Sequence, residues 1–321
     1  MMKILVAGGA GYIGSVLIRQ LLEKGYTVTV FDNLSLGGDA IIDLLSHKKF
    51  QLVHGDIRNK KQIRTALKNI DCVVNLAALV GEPSCNKDPK ETNDINYIGA
   101  RNLCDLSKSL GIKRFIQIST CSNYGISDTR HPATEDSPLY SNSIYSTTKI
   151  AAEKYVLKQA TPDFCVTVLR LATAYGISPR MRFDTLVNEF VRDAFVNKKI
   201  VIYQPHTWRS FVHVWDIAKA IILCLHTSTD KVNGHVFNIV NKNYQKQELV
   251  DFVKQYIPGC KTERIETNTQ IRDYNVSSIK AKKTLGFKAT ISLKQGMKEV
   301  LRALEVGIFK NPNDLRYINT N

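Results

Sequence analysis

The sequence predicts an α/β fold in which a doubly wound parallel sheet is followed by a smaller C-terminal mixed α/β subdomain. Two observations lead to this prediction. In the first half of the chain, short apolar runs alternate with longer stretches of helical periodicity, which is typical of a parallel sheet with helices on both faces. After about residue 175, prolines and short strand-like pieces interrupt that rhythm. We therefore expect a sheet domain at 1–175 and a substrate subdomain at 176–321, with 209–225 as a candidate to pack back on the sheet domain.

The alternation identifies the elements of the first domain. The expected strands are six apolar runs: Ile4–Ala7, Thr27–Phe31, Gln51–His54, Cys72–Leu76, Phe115–Ser119 and Val166–Leu171. The expected helices are four amphipathic stretches: Ile13–Glu23, Lys60–Leu67, Asn96–Ser109 and Ser143–Lys158. Right-handed crossovers between parallel strands place a ligand crevice at the carboxyl ends of those strands. The last residues, 311–321, are expected to form a surface tail.

The composition narrows the range of partners. The chain has 321 residues and a net charge of +15, but its lysines and arginines are spread along it with acidic residues among them. We therefore expect no nucleic-acid partner, and a positive field that attracts an anionic nucleotide. No apolar run has the length needed to cross a bilayer, so no membrane association is expected.

The cysteines bear on the compartment. The seven cysteines are scattered and no pair has metal-ligand spacing, which predicts free thiols and no metal site. Free thiols are typical of a reducing compartment. Because the N-terminus begins a strand rather than a secretory signal, we expect a cytoplasmic protein.

The glycines after the first strand predict a dinucleotide site. Four glycines fall within residues 8–14, between a buried-type strand and a helical pattern. Gly8 and Gly9 allow the chain to turn tightly off the strand, and Gly11 lets the backbone approach a pyrophosphate. Gly14 allows close packing of the helix, whose first N–H groups can bind phosphate.

Residues at the next strand ends extend this site. Asp32 ends the second strand, where a carboxylate accepts hydrogen bonds from the adenosine ribose and repels a 2′-phosphate, so NAD is expected rather than NADP. Asp56 follows the third strand and either meets the adenine amino group or caps the next helix. The alanines of Asn75–Ala78 would let the cofactor lie against the backbone. The full set expected to bind NAD is Gly8, Gly11, Tyr12, Ile13, Gly14, Asp32, Asn33, Asp56, Ile57, Leu76, Ala77, Ala78, Asn96, Tyr145 and Lys149.

A second constellation predicts redox chemistry. Tyr145 and Lys149 are four positions apart in a helical stretch and therefore share a face. A tyrosine with a pKa of about 10 is a poor base at neutral pH, but a nearby ammonium and an oxidised nicotinamide favour the phenolate. The phenolate can take a hydroxyl proton while hydride leaves the same carbon for NAD, and Lys149 can also hold the nicotinamide ribose. Thr120, at the end of the fifth strand, can hydrogen-bond the reacting alcohol. The alternatives are a surface aromatic–cation pair and a threonine that caps a turn.

These motifs resemble the extended short-chain dehydrogenase/reductase family, in its branch of nucleotide-sugar epimerases and dehydratases. The resemblance runs nearly end to end and rests on Gly8–Gly14, Asp32, Asp56-Ile57, Asn75–Ala78, Asn96–Gly99, Ser119–Gly125, Tyr145–Lys149, Trp208–Asp216 and Arg272–Tyr274. It implies a Rossmann-like fold, NAD as the cofactor, and catalytic roles for Thr120, Tyr145 and Lys149.

The same resemblance implies further contacts. Arg209 and Arg272 would clamp the pyrophosphate of a nucleoside-diphosphate sugar, for which the guanidinium fork is suited, unless they form surface ion pairs. Members of the family usually dimerise through a four-helix bundle, so we expect a homodimer that uses the helices near 96–109 and 143–158.

Two further segments bear on the substrate. Dehydratases of this family commonly have Asp and Glu directly after the active-site Thr, whereas this chain has Cys121 and Ser122, which disfavours 4,6-dehydration. Cys121 is alternatively a small packing residue. Gly176–Asp184 resembles a subset of bacterial capsule and lipopolysaccharide sugar enzymes that includes C4 oxidoreductases of nucleotide-linked heptoses. The set expected to bind substrate is Thr120, Cys121, Ser122, Arg180, Arg182, Arg209 and Arg272.

The sequence therefore predicts NAD-dependent oxidation at C4 of a nucleoside-diphosphate sugar, first as a 4-epimerase that passes through a 4-keto intermediate. A net C4 dehydrogenase, for example of a nucleotide-linked heptose in surface-polysaccharide biosynthesis, would use the same catalytic groups. A 4,6-dehydratase is third. A non-catalytic NAD-binding regulator would leave Thr120, Tyr145 and Lys149 unexplained. Uridine, guanosine and thymidine diphosphates all remain open as the nucleotide.

Overall fold

The structure is a computed structural model that describes residues 2–128, 130–266 and 272–319. Its strands are β1 (Lys3–Ala7), β2 (Thr27–Asp32), β3 (Phe50–His54), β4 (Cys72–Asn75), β5 (Arg114–Thr120), β6 (Cys165–Leu171), β7 (Thr173–Tyr175), β8 (Lys199–Tyr203), β9 (Trp208–His213), β10 (His235–Ile239), β11 (Lys242–Gln245) and β12 (Lys261–Ile265). Its α-helices are α1 (Gly14–Glu23), α2 (Lys60–Ala66), α3 (Glu82–Lys87), α4 (Pro89–Asn93), α5 (Ala100–Ser109), α6 (Ile144–Leu157), α7 (Leu186–Asn197), α8 (Val214–His226), α9 (Thr229–Val232), α10 (Lys246–Tyr256), α11 (Ile279–Leu285) and α12 (Leu293–Glu305). Short 3₁₀ turns lie at Asp39–Leu44, Cys121–Tyr124 and Leu315–Tyr317, and a π-helical turn lies at Asp94–Gly99.

The large sheet has the strand order β3-β2-β1-β4-β5-β6-β10, and every pairing in it is parallel. The chain builds outward from β1 to β3 and then returns to add β4 on the other side, so the direction of winding reverses between β1 and β4. A parallel sheet opens a ligand crevice at such a switch point. The predicted doubly wound, Rossmann-like fold is confirmed.

The seventh strand, β10, was not predicted from the sequence. Its apolar run is interrupted by Asn238, which is fully buried. The Asn238 side chain accepts a hydrogen bond from the Tyr124 hydroxyl at 2.7 Å and donates one to the Ser277 carbonyl at 3.1 Å. A polar residue inside a buried strand is tolerated when its groups are paired in this way, and the pairing partners are distant in sequence.

The second half of the chain forms two smaller sheets. One has the order β11-β9-β7 and the other is the parallel pair of β12 with β8. β10 joins the large sheet, and α8 packs on α1, where the Gln20 side chain donates to the Trp215 carbonyl at 3.3 Å. β10 and α8 thus lie beside the first domain although they follow residue 175. The domain division at residue 175 stays a prediction.

The predicted helix at Asn96–Ser109 begins later than expected. Asp94–Gly99 winds as a π-helix, and the regular helix α5 starts at Ala100. The predicted helix at Ser143–Lys158 corresponds to α6. Ser143 caps α6, because its hydroxyl accepts the Ser146 N–H at 3.2 Å while the Ser146 hydroxyl accepts the Ser143 N–H at 3.1 Å. This cap fixes where the helix that carries Tyr145 begins.

The C-terminal segment is packed rather than a free surface tail. The Tyr317 ring contacts the rings of Phe183 and Phe309, and the Tyr317 carbonyl accepts the Phe183 N–H at 2.8 Å. The Asn319 carbonyl accepts the Ser84 hydroxyl at 2.7 Å. The expectation of a surface tail was therefore wrong for this part, and residues 320–321 of the predicted tail lie outside the described residues.

Within the described ranges, no helix combines the length and the apolar character that a bilayer crossing requires.

Candidate active site

The glycine turn after β1 has two kinds of glycine. Gly8 has a φ of +77°, and a Cβ there would lie 2.7 Å from the Ala77 nitrogen. A Cβ on Gly14 would lie 2.4 Å from the Gly8 carbonyl oxygen. At Gly11 the nearest atom to such a Cβ is 3.4 Å away. Gly8 and Gly14 are therefore required by the chain's own packing. At Gly11 the packing leaves space that a ligand can occupy.

Backbone N–H groups face that space from the start of α1. The structure gives the N–H groups of Tyr12 and Ile13 no hydrogen-bond acceptor among the residues it describes. Unpaired N–H groups at a helix start bind phosphate, so the turn fits the pyrophosphate of a dinucleotide. The Tyr12 side chain has a different role. Its hydroxyl donates to the Gly176 carbonyl at 2.7 Å and accepts from the Asn188 side chain at 3.1 Å, so only the Tyr12 backbone can reach a cofactor.

Asp32 is placed to join the glycine turn to a ribose. One carboxylate oxygen accepts the Ala10 N–H and the other accepts the Leu34 N–H, both at 2.9 Å. Burial raises the pKa of Asp32, and these two N–H groups oppose the rise. Each carboxylate oxygen has a further lone pair that can accept a ribose hydroxyl. The predicted ribose contact stays a prediction and is compatible with this geometry.

Asp56 does not cap α2. Asn59 does so, because its side chain accepts the N–H groups of Lys61 and Gln62. Asp56 is instead held by the Arg58 guanidinium through contacts of 2.6 and 2.9 Å, and this hydrogen bonding lowers the pKa of Asp56. The helix-cap alternative is therefore wrong, and the adenine contact stays a prediction.

Asn33 and Ile57 lie close to Asp56. The Asn33 side chain accepts the Ser35 N–H at 3.1 Å and also hydrogen-bonds Asp56. Ile57 is buried, and its side chain fills the space where a Cβ on Gly99 would otherwise be. These positions surround the expected adenine end of the site, and their direct contact with a cofactor stays a prediction.

The loop after β4 is held by Asn96. The Asn96 side chain accepts the Leu79 N–H at 2.7 Å and donates to the Leu79 carbonyl at 3.0 Å. Because Asn96 is 1% exposed and both ends of its amide are engaged, it positions the loop instead of presenting its amide to a cofactor. Leu76, Ala77 and Ala78 precede Leu79 and are partly exposed, as residues that line a cofactor cleft must be.

The predicted catalytic residues meet at the end of β5. The Thr120 hydroxyl lies close enough to the Tyr145 phenol to lower its pKa, and the Lys149 ammonium donates to the Ile118 carbonyl at 2.6 Å. Lys149 is 5% exposed, so the alternative of a surface aromatic–cation pair is wrong. Thr120 also accepts the Ser122 N–H at 3.1 Å. The Thr120 hydroxyl therefore caps the turn, as the alternative held, and the same hydroxyl lies beside Tyr145.

Burial shifts the two titratable groups in opposite directions. It raises the pKa of Tyr145 to about 12, against the lowering effects of the Thr120 hydrogen bond and the Arg182 charge. It lowers the pKa of Lys149 to about 8, and the Glu153 carboxylate opposes that shift. Compared with water, the buried site thus favours the neutral phenol of Tyr145 and the neutral amine of Lys149. A cation placed beside Tyr145 would reverse the balance in favour of phenolate.

The two arginines expected to bind the substrate diphosphate lie together. The Arg209 guanidinium donates to the Arg272 carbonyl and lies 5.3 Å from the centre of the Tyr274 ring. Burial lowers the pKa of both arginines. Arg272 is paired with Glu82, whereas Arg209 forms no ion pair with a carboxylate among the described residues. A partly desolvated guanidinium without a counter-ion favours an anionic ligand.

Lys246 adds to this cluster. Burial and the nearby Arg209 charge lower its pKa to about 8, and its ammonium donates to the Tyr203 carbonyl at 2.7 Å. Tyr274 lies near both the arginines and the catalytic phenol, because it raises the pKa of Arg209, of Arg272 and of Tyr145. The anion site and the catalytic phenol are therefore neighbours.

Arg180 and Arg182 differ in their surroundings. Arg182 is paired with both carboxylate oxygens of Asp184 at 2.8 Å and lies close enough to Tyr145 to lower the pKa of its phenol. Arg180 is 7% exposed and donates to the Met181 carbonyl at 2.6 Å and to the Asn319 side chain at 3.3 Å. Arg182 is thus brought to the catalytic group, while Arg180 is tied to the C-terminal segment.

Cys121 departs from the expected substrate contact. It is fully buried, its thiol contacts the Arg170 carbonyl at 3.4 Å, and burial raises its pKa. Its side chain therefore packs in the core, as the alternative interpretation held. Ser122 is half-buried, and its hydroxyl accepts a hydrogen bond from Thr120 at 3.1 Å, so its contact with a substrate stays a prediction.

Several residues of the site were missed from the sequence. Glu82, Cys85 and Lys246 come from segments that are distant in the chain, and nothing in their local pattern indicates the site. Glu153 could have been found, because it follows Lys149 by four positions just as Lys149 follows Tyr145.

The comparison with known families now bears on this geometry. The model of the NAD-dependent epimerase/dehydratase family matches residues 4–240. The chain belongs to this family. The family consists of enzymes that depend on NAD, in agreement with the glycine turn and the catalytic residues at β5.

Members of the family with different activities are similar to this chain. A crystal structure of UDP-glucose 4-epimerase with UDP-glucose from Thermotoga maritima has a TM-score of 0.84 and 27% identity, covering 96% of this chain and 100% of that one. The structure of dTDP-glucose 4,6-dehydratase from Bacillus anthracis in complex with NAD has a TM-score of 0.84 and 26% identity, covering 96% and 98%. UDP-glucuronic acid decarboxylase 1 of Arabidopsis thaliana is 28% identical over 313 residues, which cover 92% of this chain and 68% of that protein. The comparisons support NAD-dependent chemistry at C4 of a nucleotide sugar and leave the specific activity open.

The two kinds of glycine predict different variants. In Gly14→Ala the new methyl collides with backbone, and we expect a loss of about 1–3 kcal/mol in the free energy of unfolding, measured by urea denaturation. Gly11→Ala should keep near-normal stability but bind NAD about 10-fold more weakly, measured by calorimetry. Equal losses of stability in both variants would contradict this assignment.

The arginine cluster predicts an effect on substrate affinity. In Arg209→Met the KM for a nucleoside-diphosphate sugar should rise by about 10- to 100-fold, because a charged hydrogen bond contributes about 1.5–3 kcal/mol. Arg264→Met is the matched control, since Arg264 is exposed and, among the described residues, bonds the Gln247 side chain alone. An unchanged KM in Arg209→Met would argue against an anion site at this cluster.

Proposed function

We propose that this protein is an NAD-dependent 4-epimerase of a nucleoside-diphosphate sugar. The observation that carries the proposal is the meeting of Thr120, Tyr145 and Lys149 beside a cluster of partly desolvated arginines. The similarity to the epimerase structure with UDP-glucose supports the substrate class. The nucleotide stays open among uridine, guanosine and thymidine diphosphates.

The reaction begins with the C4 hydroxyl between Thr120 and Tyr145. Tyr145 takes the hydroxyl proton, and the Thr120 hydroxyl shares it by hydrogen bonding. The charge of Arg182 lowers the pKa of the Tyr145 phenol and so favours the phenolate that this step needs. Bound NAD would supply the hydride acceptor for C4 and the hydride for the return step. Lys149 would hold its nicotinamide ribose and so keep the reacting carbon near Tyr145.

Epimerisation then requires the sugar to present its other face. Arg209 and Arg272 hold the diphosphate by charge and hydrogen bonding while the 4-keto sugar turns over. Tyr145 finally returns the proton to the C4 oxygen. Because the anchor lies on the diphosphate, the sugar can rotate without leaving the site.

The turn after β5 disfavours dehydration. Elimination of water at C5 and C6 needs an acid and a base beside those carbons. The position after Thr120 holds Cys121, whose buried thiol has a raised pKa, and the next holds Ser122. Neither is a suitable acid for loss of the C6 hydroxyl.

The proposal is tested by incubating the enzyme with UDP-glucose, GDP-mannose and dTDP-glucose. We expect one of them to be converted to its C4 epimer without lasting absorbance at 340 nm, detected by NMR and spectrophotometry. Stoichiometric reduced cofactor that requires an external oxidant would instead establish a net C4 dehydrogenase. Incorporation of solvent deuterium at C5 would establish a dehydratase.

Tyr145→Phe tests the catalytic assignment directly. We expect kcat to fall by about 10²- to 10⁴-fold with NAD still bound, since general acid–base catalysis contributes factors of this size. Tyr140→Phe is the matched control, because Tyr140 is an exposed tyrosine nearby in the sequence. Normal turnover by Tyr145→Phe would remove the proposed mechanism.

We further infer a homodimer and a cytoplasmic location. The helices α5 and α6 pack together, and the exposed side chains of Arg101 and Asp105 on α5 surround Tyr155 on α6. Static light scattering should give twice the mass of one chain, and a monomer at micromolar concentration would contradict the dimer. The cysteines in the described structure are all unpaired thiols, which supports a reducing compartment.

A further inference from the structure

One face of α6 meets three consecutive residues of β5. Tyr145 lies beside Thr120, the Lys149 ammonium donates to the Ile118 carbonyl, and Glu153 accepts the hydroxyl of Ser119, the residue between them, at 2.8 Å. Tyr145, Lys149 and Glu153 follow one another at intervals of four positions, and so lie along one side of the helix. The first two belong to the proposed mechanism, whereas the third has no role in it so far.

Glu153 is fixed from several sides. It is 2% exposed, and the Arg170 guanidinium from β6 donates to its carboxylate at 2.5 and 3.1 Å. Arg170 is in turn bonded to the Tyr124 hydroxyl at 2.7 Å. The Ser119 hydroxyl also accepts the Asn123 side chain at 3.2 Å. The carboxylate therefore joins α6 to β6 and to the turn that follows β5.

This placement affects both catalytic neighbours of Glu153. Ser119 directly precedes Thr120, so the Ser119 hydrogen bond limits where the Thr120 hydroxyl can lie. Lys149 is buried, and the Glu153 carboxylate is the group that favours its charged form most. The other titratable groups near Lys149 are Tyr145 on the same helix and the Cys85 thiol on α3. Arg170 faces Glu153 from β6.

We propose that Glu153 is a positioning residue that keeps Lys149 charged and, through Ser119, holds the Thr120 hydroxyl against Tyr145. This inference concerns the same site as the proposed function and rests on it for the roles of Lys149 and Thr120. Glu153 does not touch the reacting atoms. It acts through the ammonium and through the turn after β5.

The charge effect is tested with Glu153→Gln and the affinity of the protein for NADH between pH 6.5 and 10, measured by NADH fluorescence. In the wild-type protein affinity should decline as Lys149 loses its proton, near its pKa of about 8. Without the carboxylate the ammonium is less favoured, so the decline should begin at lower pH, by at least half a pH unit. A decline at the wild-type pH would overturn the charge role.

A buried arginine without its partner could also destabilise the fold, so a second variant separates the two effects. In Glu153→Gln/Arg170→Met both charges are removed together, which avoids an unpaired buried guanidinium. We expect the decline in affinity to stay at the lower pH in this double variant. Its return to the wild-type pH would show that Glu153 only balances Arg170, and would overturn the proposal.

The contact with Thr120 is tested by Ser119→Ala with UDP-glucose, or with whichever nucleotide sugar the enzyme converts. This change keeps the Glu153 charge, so kcat should fall several-fold with an unchanged KM and an unchanged pH dependence of NADH binding. An unchanged kcat would overturn the contact role. Glu305→Gln is the control for a carboxylate change, since Glu305 is exposed on α12.

The NADH measurement does not depend on the identity of the sugar. If the wild-type protein converts none of the nucleotide sugars, the proposed function fails, while the pH dependence of NADH binding still tests the role of Glu153. If turnover is found and the pH dependence does not move in either variant, the positioning role fails and the proposed function stands.

Discussion

The reactive geometry depends on the contact between α6 and the carboxyl end of β5. β5 is paired with β4 from Arg114 to Gln117 and with β6 along its whole length, so its last residues are held by the β6 ladder. α6 begins at a capped residue, Ser143, which sets the position of its first turn. A rigid strand end and a fixed helix start bring Thr120 and Tyr145 together before any ligand binds. Such preorganisation reduces the reorganisation that the reaction requires.

Burial disfavours the charged side-chain forms that the proposed chemistry needs. The site therefore favours ligands whose own charge stabilises those forms. The phenol of Tyr145 and the amine of Lys149 are both shifted toward their neutral forms. Each pKa unit corresponds to about 1.4 kcal/mol of differential interaction. Arg209 and Arg272 are desolvated in the same region, but Arg272 is paired with Glu82, whereas Arg209 has no carboxylate partner among the described residues. In the proposed mechanism a diphosphate would relieve the desolvation cost at Arg209, and a positively charged nicotinamide would favour the Tyr145 phenolate.

The sequence allowed the first half of the fold and the core of the site to be predicted, because both are encoded in local patterns. A glycine turn after a buried strand and a tyrosine–lysine pair at helical spacing can be recognised without any tertiary contact. β10 and the packed C-terminal segment could not be, since Asn238 and Tyr317 are stabilised by partners distant in the chain. The bonds of the Asn96 side chain to Leu79 could not be predicted for the same reason, because they depend on how the loop folds.

The turn after β5 supports the proposal of epimerisation at C4 without elimination at C5. The first residues of this turn have different surroundings. Thr120 lies beside Tyr145, Cys121 points inward to the Arg170 carbonyl, and Ser122 is half-buried. The Ser122 hydroxyl accepts from Thr120 and so extends the hydrogen-bond chain that serves the C4 oxygen. A dehydratase would need a carboxyl group in the same short turn. Here the first position after Thr120 is a buried thiol and the second a neutral hydroxyl, so the turn can share a proton at C4 without supplying the acid that elimination requires.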